Sequence, residues 1–132
     1  MATVTAAITL TSAVGDLLTD ALALSDSTAI TALHTTGLAR TKITATAAGS
    51  SASTIYTADD YAAPGYIYMK NTQTTASHYI YVYNDTTSGD PVVLKLAGGD
   101  WALLPMIADK TLRAYGSSAN HVIEWMVFGT EN

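Results

Sequence analysis

The segment His78-Tyr79-Ile80-Tyr81-Val82-Tyr83 runs into Asn84-Asp85-Thr86-Thr87-Ser88-Gly89-Asp90-Pro91 and then Val92-Val93-Leu94-Lys95-Leu96. It decides the fold class. Side chains alternate across a strand, so Tyr79, Tyr81 and Tyr83 share one face while Ile80 and Val82 share the other. The Asn, Asp, Gly and Pro cluster that follows is turn chemistry, and it delivers the chain into a second β-branched run. Upstream, Tyr66-Ile67-Tyr68-Met69-Lys70 alternates in the same way, with Asn71 to Ser77 as its connection. Downstream, Gly98-Gly99-Asp100 turns the chain into Trp101-Ala102-Leu103-Leu104, which Pro105 stops. Leu112 to Tyr115 follows. After the turn at 116–120, Val122, Glu124, Met126 and Phe128 alternate with His121, Ile123, Trp125 and Val127.

Toward the N-terminus, Val4, Ala6, Ile8 and Leu10 alternate with Thr3, Thr5, Ala7 and Thr9, and Leu38 to Thr44 alternates again. Val14, Leu17, Leu18, Ala21 and Leu22 also satisfy a helical spacing, with Ser12 and Asp16 as caps. Thr fills about one position in six; β-branched side chains suit a pleated surface better than a helix, which favours strand. The expected fold is all-β, an antiparallel β-sandwich of jelly-roll-like type with a β-rich N-terminal arm. The arm is residues 1–47 and the sandwich body residues 48–132, divided at the small, polar run Ala47-Ala48-Gly49-Ser50-Ser51-Ala52-Ser53. Aromatics follow that division: residues 1–60 hold only Tyr56, and the other ten lie beyond.

Composition narrows the function. The 132 residues fit one domain with a sizeable core. There is no cysteine, so disulfides, thiolate metal sites and cysteine nucleophiles are excluded. Six basic against eleven acidic residues give a net charge of −5, which argues against nucleic acid and anionic membrane as partners. The charged fraction, 13%, is about half that of an average soluble domain, while Ala, Thr and Ser fill about 40%. A surface so poor in charge suits a chain partly covered by neighbours. The first basic residue is Arg40 and apolar runs are short, so neither a secretory leader nor a membrane span is expected.

Catalytic and metal chemistry finds little support. His34, His78 and His121 lack any metal-binding spacing. Asp59 and Asp60 are adjacent, so in a strand they point to opposite faces and in a turn they are solvated. Asp85, Asp90 and Asp100 lie in glycine-bearing loops without calcium-loop spacing. Ser118 and His121 lack a nucleophile elbow. No enzyme, cofactor or metal is expected. The informative group is the tyrosine row: if the strands carrying Tyr66 and Tyr68 and those carrying Tyr79, Tyr81 and Tyr83 pair, five phenols form one surface for packing, a protein partner or a sugar. Trp101 and Trp125 lie among apolar neighbours and are expected in the core.

Taken in order, Tyr66 to Thr72, Tyr79 to Tyr83, Leu96 to Pro105, Leu112 to Tyr115 and Val122 to Trp125, with Thr36-Gly37-Leu38-Ala39-Arg40-Thr41 before them, resemble small virion structural proteins of tailed, cyanophage-like bacteriophages. That resemblance implies a capsid decoration or cement protein, a homotrimer with a β-sandwich or jelly-roll body. It would be made in the host cytoplasm and carried on the capsid surface, against the major capsid protein and copies of itself. A tail or fibre component that binds host-surface glycan is the alternative. The candidate interface residues are Tyr66, Tyr68, Tyr79, Tyr81, Tyr83 and Arg40.

Overall fold

A computed structural model describes residues 2–13, 21–32, 34–58, 60–84, 92–106 and 110–131. The helix-or-strand ambiguity at 14–20 lies outside these residues, as do Asp59, Asp85 and Asp90. Every described element is a strand. In chain order they are β1 (Ala2–Thr11), β2 (Ala23–Ala32), β3 (His34–Thr35), β4 (Ala39–Ile43), β5 (Ser53–Tyr56), β6 (Tyr61–Asn71), β7 (Ile80–Asn84), β8 (Val92–Leu96), β9 (Trp101–Met106), β10 (Leu112–Gly116) and β11 (His121–Glu131). All the pairings are antiparallel.

The chain divides into two units, Met1–Ala32 and Leu33–Asn132. The first is a two-stranded ribbon in which ten residues of β1 face ten of β2, from Ala2 opposite Ala32 to Thr11 opposite Ala23. Opposed residues share a face, which makes this ribbon amphipathic. Val4, Ala6, Ile8 and Leu10 line one face with Leu24, Asp26, Thr28 and Ile30; the other is Thr3, Thr5, Ala7 and Thr9 with Ser25, Ser27, Ala29 and Thr31.

The second unit is an antiparallel sandwich. One sheet runs β3-β11-β6-β9, with β4 also on β11; the other runs β5-β10-β7-β8. Inward residues from both sheets form one core of Ile43, Ile55, Tyr56, Ile67, Met69, Ile80, Val82, Leu96, Leu112, Ala114, Ile123 and Val127. The boundary between units therefore falls after Ala32 and not after Ala47. Residues 39–43 are an integral strand: Ile43 is fully buried and sits opposite His121. The small residues at 47–53 instead cover the second sheet, where Ala45 and Ala52 pack on Tyr83.

One polar residue ties the sandwich together from within. Asn71 is fully buried, and its Nδ2 donates to the carbonyls of His78 (2.7 Å) and Leu96 (3.0 Å), while its Oδ1 accepts from Gln73 N (3.1 Å). The end of β6, the approach to β7 and the end of β8 meet there. Gly98 lies close by because nothing larger fits: a Cβ would stand 2.2 Å from the carbonyl oxygen of Thr75 and 2.9 Å from that of Gln73.

Candidate interaction faces

Strands β6 and β7 belong to different sheets, so the five tyrosines do not form one surface. A sandwich turns each sheet's outward residues away from the other sheet, and consecutive strands that cross between sheets put their outward side chains on opposite sides of the body. Tyr79, Tyr81 and Tyr83 face outward from the second sheet; Tyr66, Tyr68 and Arg40 face outward from the first.

On the second sheet, Tyr81 lies opposite Tyr115 on one side and Lys95 on the other. The Tyr81 and Tyr115 rings stack with centroids 4.9 Å apart and planes 16° from parallel, and Tyr83 meets Tyr115 edge-on at 5.9 Å. The Lys95 ammonium rests 3.9 Å from the Tyr79 centroid and 5.6 Å from that of Tyr81, a cation–π arrangement on an exposed strand. Tyr79, Tyr81 and Tyr115 are half-buried. Desolvation, then the neighbouring Tyr81 and Tyr83, push the Tyr115 phenol up from its ordinary value. Tyr83 differs. It is fully buried, its hydroxyl donates to Gly49 O (3.2 Å) and accepts from Gly49 N (3.0 Å), so it pins the covering loop and is no surface residue. Arg113 supports the same loop through Nη1 to the carbonyls of Ser50 and Ala52. Among the described residues this face holds two bases and no carboxylate.

The first sheet presents a different face. The Arg40 guanidinium bonds Glu124 Oε2 through Nη2 (2.8 Å) and Nε (2.9 Å), and Lys70 lies opposite Glu124 on the next strand. Beside this row Tyr68 sits between Met126 and Leu103, and Tyr66 between Phe128 and Pro105. Burial, then the Glu124 charge, raise the Tyr68 phenol. Trp101 is not a core residue. It lies outward, opposite Lys70 at the edge of the sheet, and is 57% exposed. Trp125 does pack against the core and donates Nε1–H to Thr41 Oγ1 (3.0 Å).

Two of the three histidines meet. His78 and His121 stack at 4.9 Å with planes 27° apart, His121 Nε2 lies 3.3 Å from both Ser117 Oγ and Ser118 Oγ, and His78 Nδ1 is buried without a partner. Desolvation, then His78, push His121 below its ordinary value. The sequence names both histidines and Ser118; it does not show that the strand ends bring the rings together. No trio of metal-capable side chains converges among the described residues. Asp100 caps its own turn by accepting from Ala97 N. A cavity of about 160 Å³ between the sheets is lined by apolar side chains such as Ile67, Met69, Val82 and Leu104, with Asn84 at its wall.

The fold and these faces define an antiparallel β-sandwich protein with an appended ribbon, whose distinctive surface chemistry is aromatic and cationic. No protein-family model, curated protein or solved structure matches the chain.

Proposed function

We propose that this chain is a non-enzymatic capsid decoration, or cement, protein of a tailed bacteriophage. In this reading it is a homotrimer that stabilises the head through contacts between subunits. It is made in the host cytoplasm and carried on the capsid surface, against the major capsid protein.

The observation that carries the reading is the division of the chain into a well-packed sandwich and a ribbon whose apolar face, buried at Ile30, is exposed over its other half. Ile8, Leu10 and Leu24 are each about 45% exposed on one side of that ribbon. A two-stranded sheet is marginal alone in water, so a ribbon of this kind suits a chain completed by assembly. The order of strands gives further support. Taking β3 and β4 as one interrupted strand, successive strands through β11 alternate between the sheets except at β7 and β8, which are neighbours in the second sheet, an order like that of a double-sheet jelly roll. That architecture recurs in viral capsid and lectin domains, although a fold alone does not fix a function. The low charge and the acidic balance agree with a subunit that is partly covered and does not touch packaged DNA.

Quantitative mass spectrometry of purified particles tests the reading. It expects many copies per virion, retained on heads freed of tails; a few copies or none would overturn it.

The second reading, a tail or fibre component that binds host glycan, is favoured by the half-exposed Tyr79 and Tyr81 beside Lys95. Replacing Tyr79 and Tyr81 with Ser then abolishes adsorption without loosening heads. Tyr83 is left out because its burial makes it a folding residue.

A further inference from the structure

The ribbon and the second sheet's outer face each lack what the other presents. The ribbon's free apolar half consists of Ile8 and Leu10 from β1 and Leu24 from β2, with Asp26 opposite Ile8. Only one charged side chain stands in that patch. One Asp26 oxygen accepts from Ser27 N, which leaves the other free. Residues 1–32 as a whole hold three Asp and no base. The tyrosine face is the complement: aromatic, half-buried, with the Lys95 ammonium on top and no carboxylate among its described residues.

We propose that the ribbon of one copy lies, apolar face down, on the Tyr79–Tyr81–Tyr115 face of a second copy, with Asp26 meeting Lys95. The proposal rests on the assembly reading above and names the partner of the ribbon within it. Sheet-on-sheet packing then buries Ile8, Leu10 and Leu24 against tyrosine rings, a pairing of aliphatic and aromatic surface with a single ion pair to set register.

Each copy gives one ribbon and receives another. The contact is heterologous, so a rotation that closes yields a ring of copies. Ten paired positions make a ribbon about 33 Å long, too narrow for a strong single contact, and closure of the ring is what makes modest contacts add up.

Charge reversal in the full chain tests this, read by sedimentation equilibrium. Wild type is expected to form a small closed oligomer. Asp26→Lys and Lys95→Glu alone should each weaken association about tenfold or more, since each sets like charges together. The double variant Asp26→Lys/Lys95→Glu should recover it, because every ribbon then finds an opposite charge on its neighbour's face, whatever the number of copies in the ring. Both side chains are exposed, so folding is preserved; Leu24→Asp, which should also disperse the oligomer, is a second probe of the same face. A wild type still monomeric at about 100 μM, a Kd range weak even for transient pairs, would overturn the proposal. So would association indifferent to both charge changes, or a double variant that fails to recover. A monomer present in many copies on heads would sink this contact and leave the decoration reading standing. An oligomer absent from virions would do the reverse.

Discussion

The sandwich and the ribbon are built from the same alternating strands, yet they solve the burial problem differently. In the sandwich each inward side chain finds a facing sheet, and Asn71, a fully buried polar residue, has its amide nitrogen and oxygen bonded. The ribbon sorts its residues too, mostly apolar on one face with Asp26 and Thr28 among them and mostly Thr or Ser on the other, but belongs to a sheet of only two strands. Alternation creates a face; only a second layer uses it. The lesson is that the pattern read from residues 3–10 and that read from residues 79–83 are equally strong and mean different things.

Truncation breaks the comparison most sharply. Removing residues 1–32 should leave a cooperative thermal transition near that of the full chain, because the sandwich keeps all of its strands. Removing residues 1–47 should abolish it, since β3, β4 and the fully buried Ile43 go with it. Circular dichroism melts of the two fragments distinguish these outcomes. If both fold, β4 is dispensable and the boundary drawn here is wrong.

Point changes should follow the same division. Gly98→Ala forces a methyl group into the carbonyls of Thr75 and Gln73, which are backbone and cannot turn aside, and should cost about 3–5 kcal/mol. Tyr83→Phe removes the bonds to Gly49 and should cost about 1–2 kcal/mol, while Tyr79→Phe should cost less than about 0.5 kcal/mol. Urea unfolding of the three variants checks the order. Equal losses for Tyr79→Phe and Tyr83→Phe would mean that the loop is not held by the Tyr83 hydroxyl.

Strand periodicity and turn chemistry made the all-β class and most strand positions legible, because both are local. What was not legible is which strands share a sheet. Tyr66 to Lys70 and Tyr79 to Tyr83 are neighbours in sequence with matching patterns, and nothing in either states that one belongs to each layer. The same gap misplaced Trp101: its neighbours in sequence are apolar, but its register opposite Lys70 turns it outward. The boundary drawn at Ala47 followed aromatic content, whereas the unit boundary depends on Ile43 reaching the core. Asn71 looked like the start of a connection because its three partners come from residues 73, 78 and 96.

Acid probes the place where the sandwich is least comfortable. His121 is buried against His78, and its pKa is depressed by burial and by that neighbour. The unfolded chain, with an ordinary value near 6.5, therefore takes up the proton first as pH falls, and stability drops from about that pH until the folded state is protonated too. Melting temperatures should fall as pH drops below about 6.5, and His121→Gln should flatten that dependence even if it lowers stability at neutral pH. A slope unchanged in the variant would place the titration elsewhere.

A small effect is also expected where the structure shows a well-formed ion pair. Arg40 and Glu124 face each other across β4 and β11, but the Arg40 side chain is 70% exposed. Water and salt screen such a pair, and holding a long side chain in place costs entropy that offsets the attraction. Arg40→Gln should thus change the stability of the sandwich by less than about 1 kcal/mol, and less again at high salt. Arg40 lies on the first sheet, so the change should leave any self-association through the tyrosine face untouched. If Arg40→Gln instead disperses the oligomer as strongly as Lys95→Glu, the first sheet is the contact surface and the roles assigned to the two faces must be exchanged.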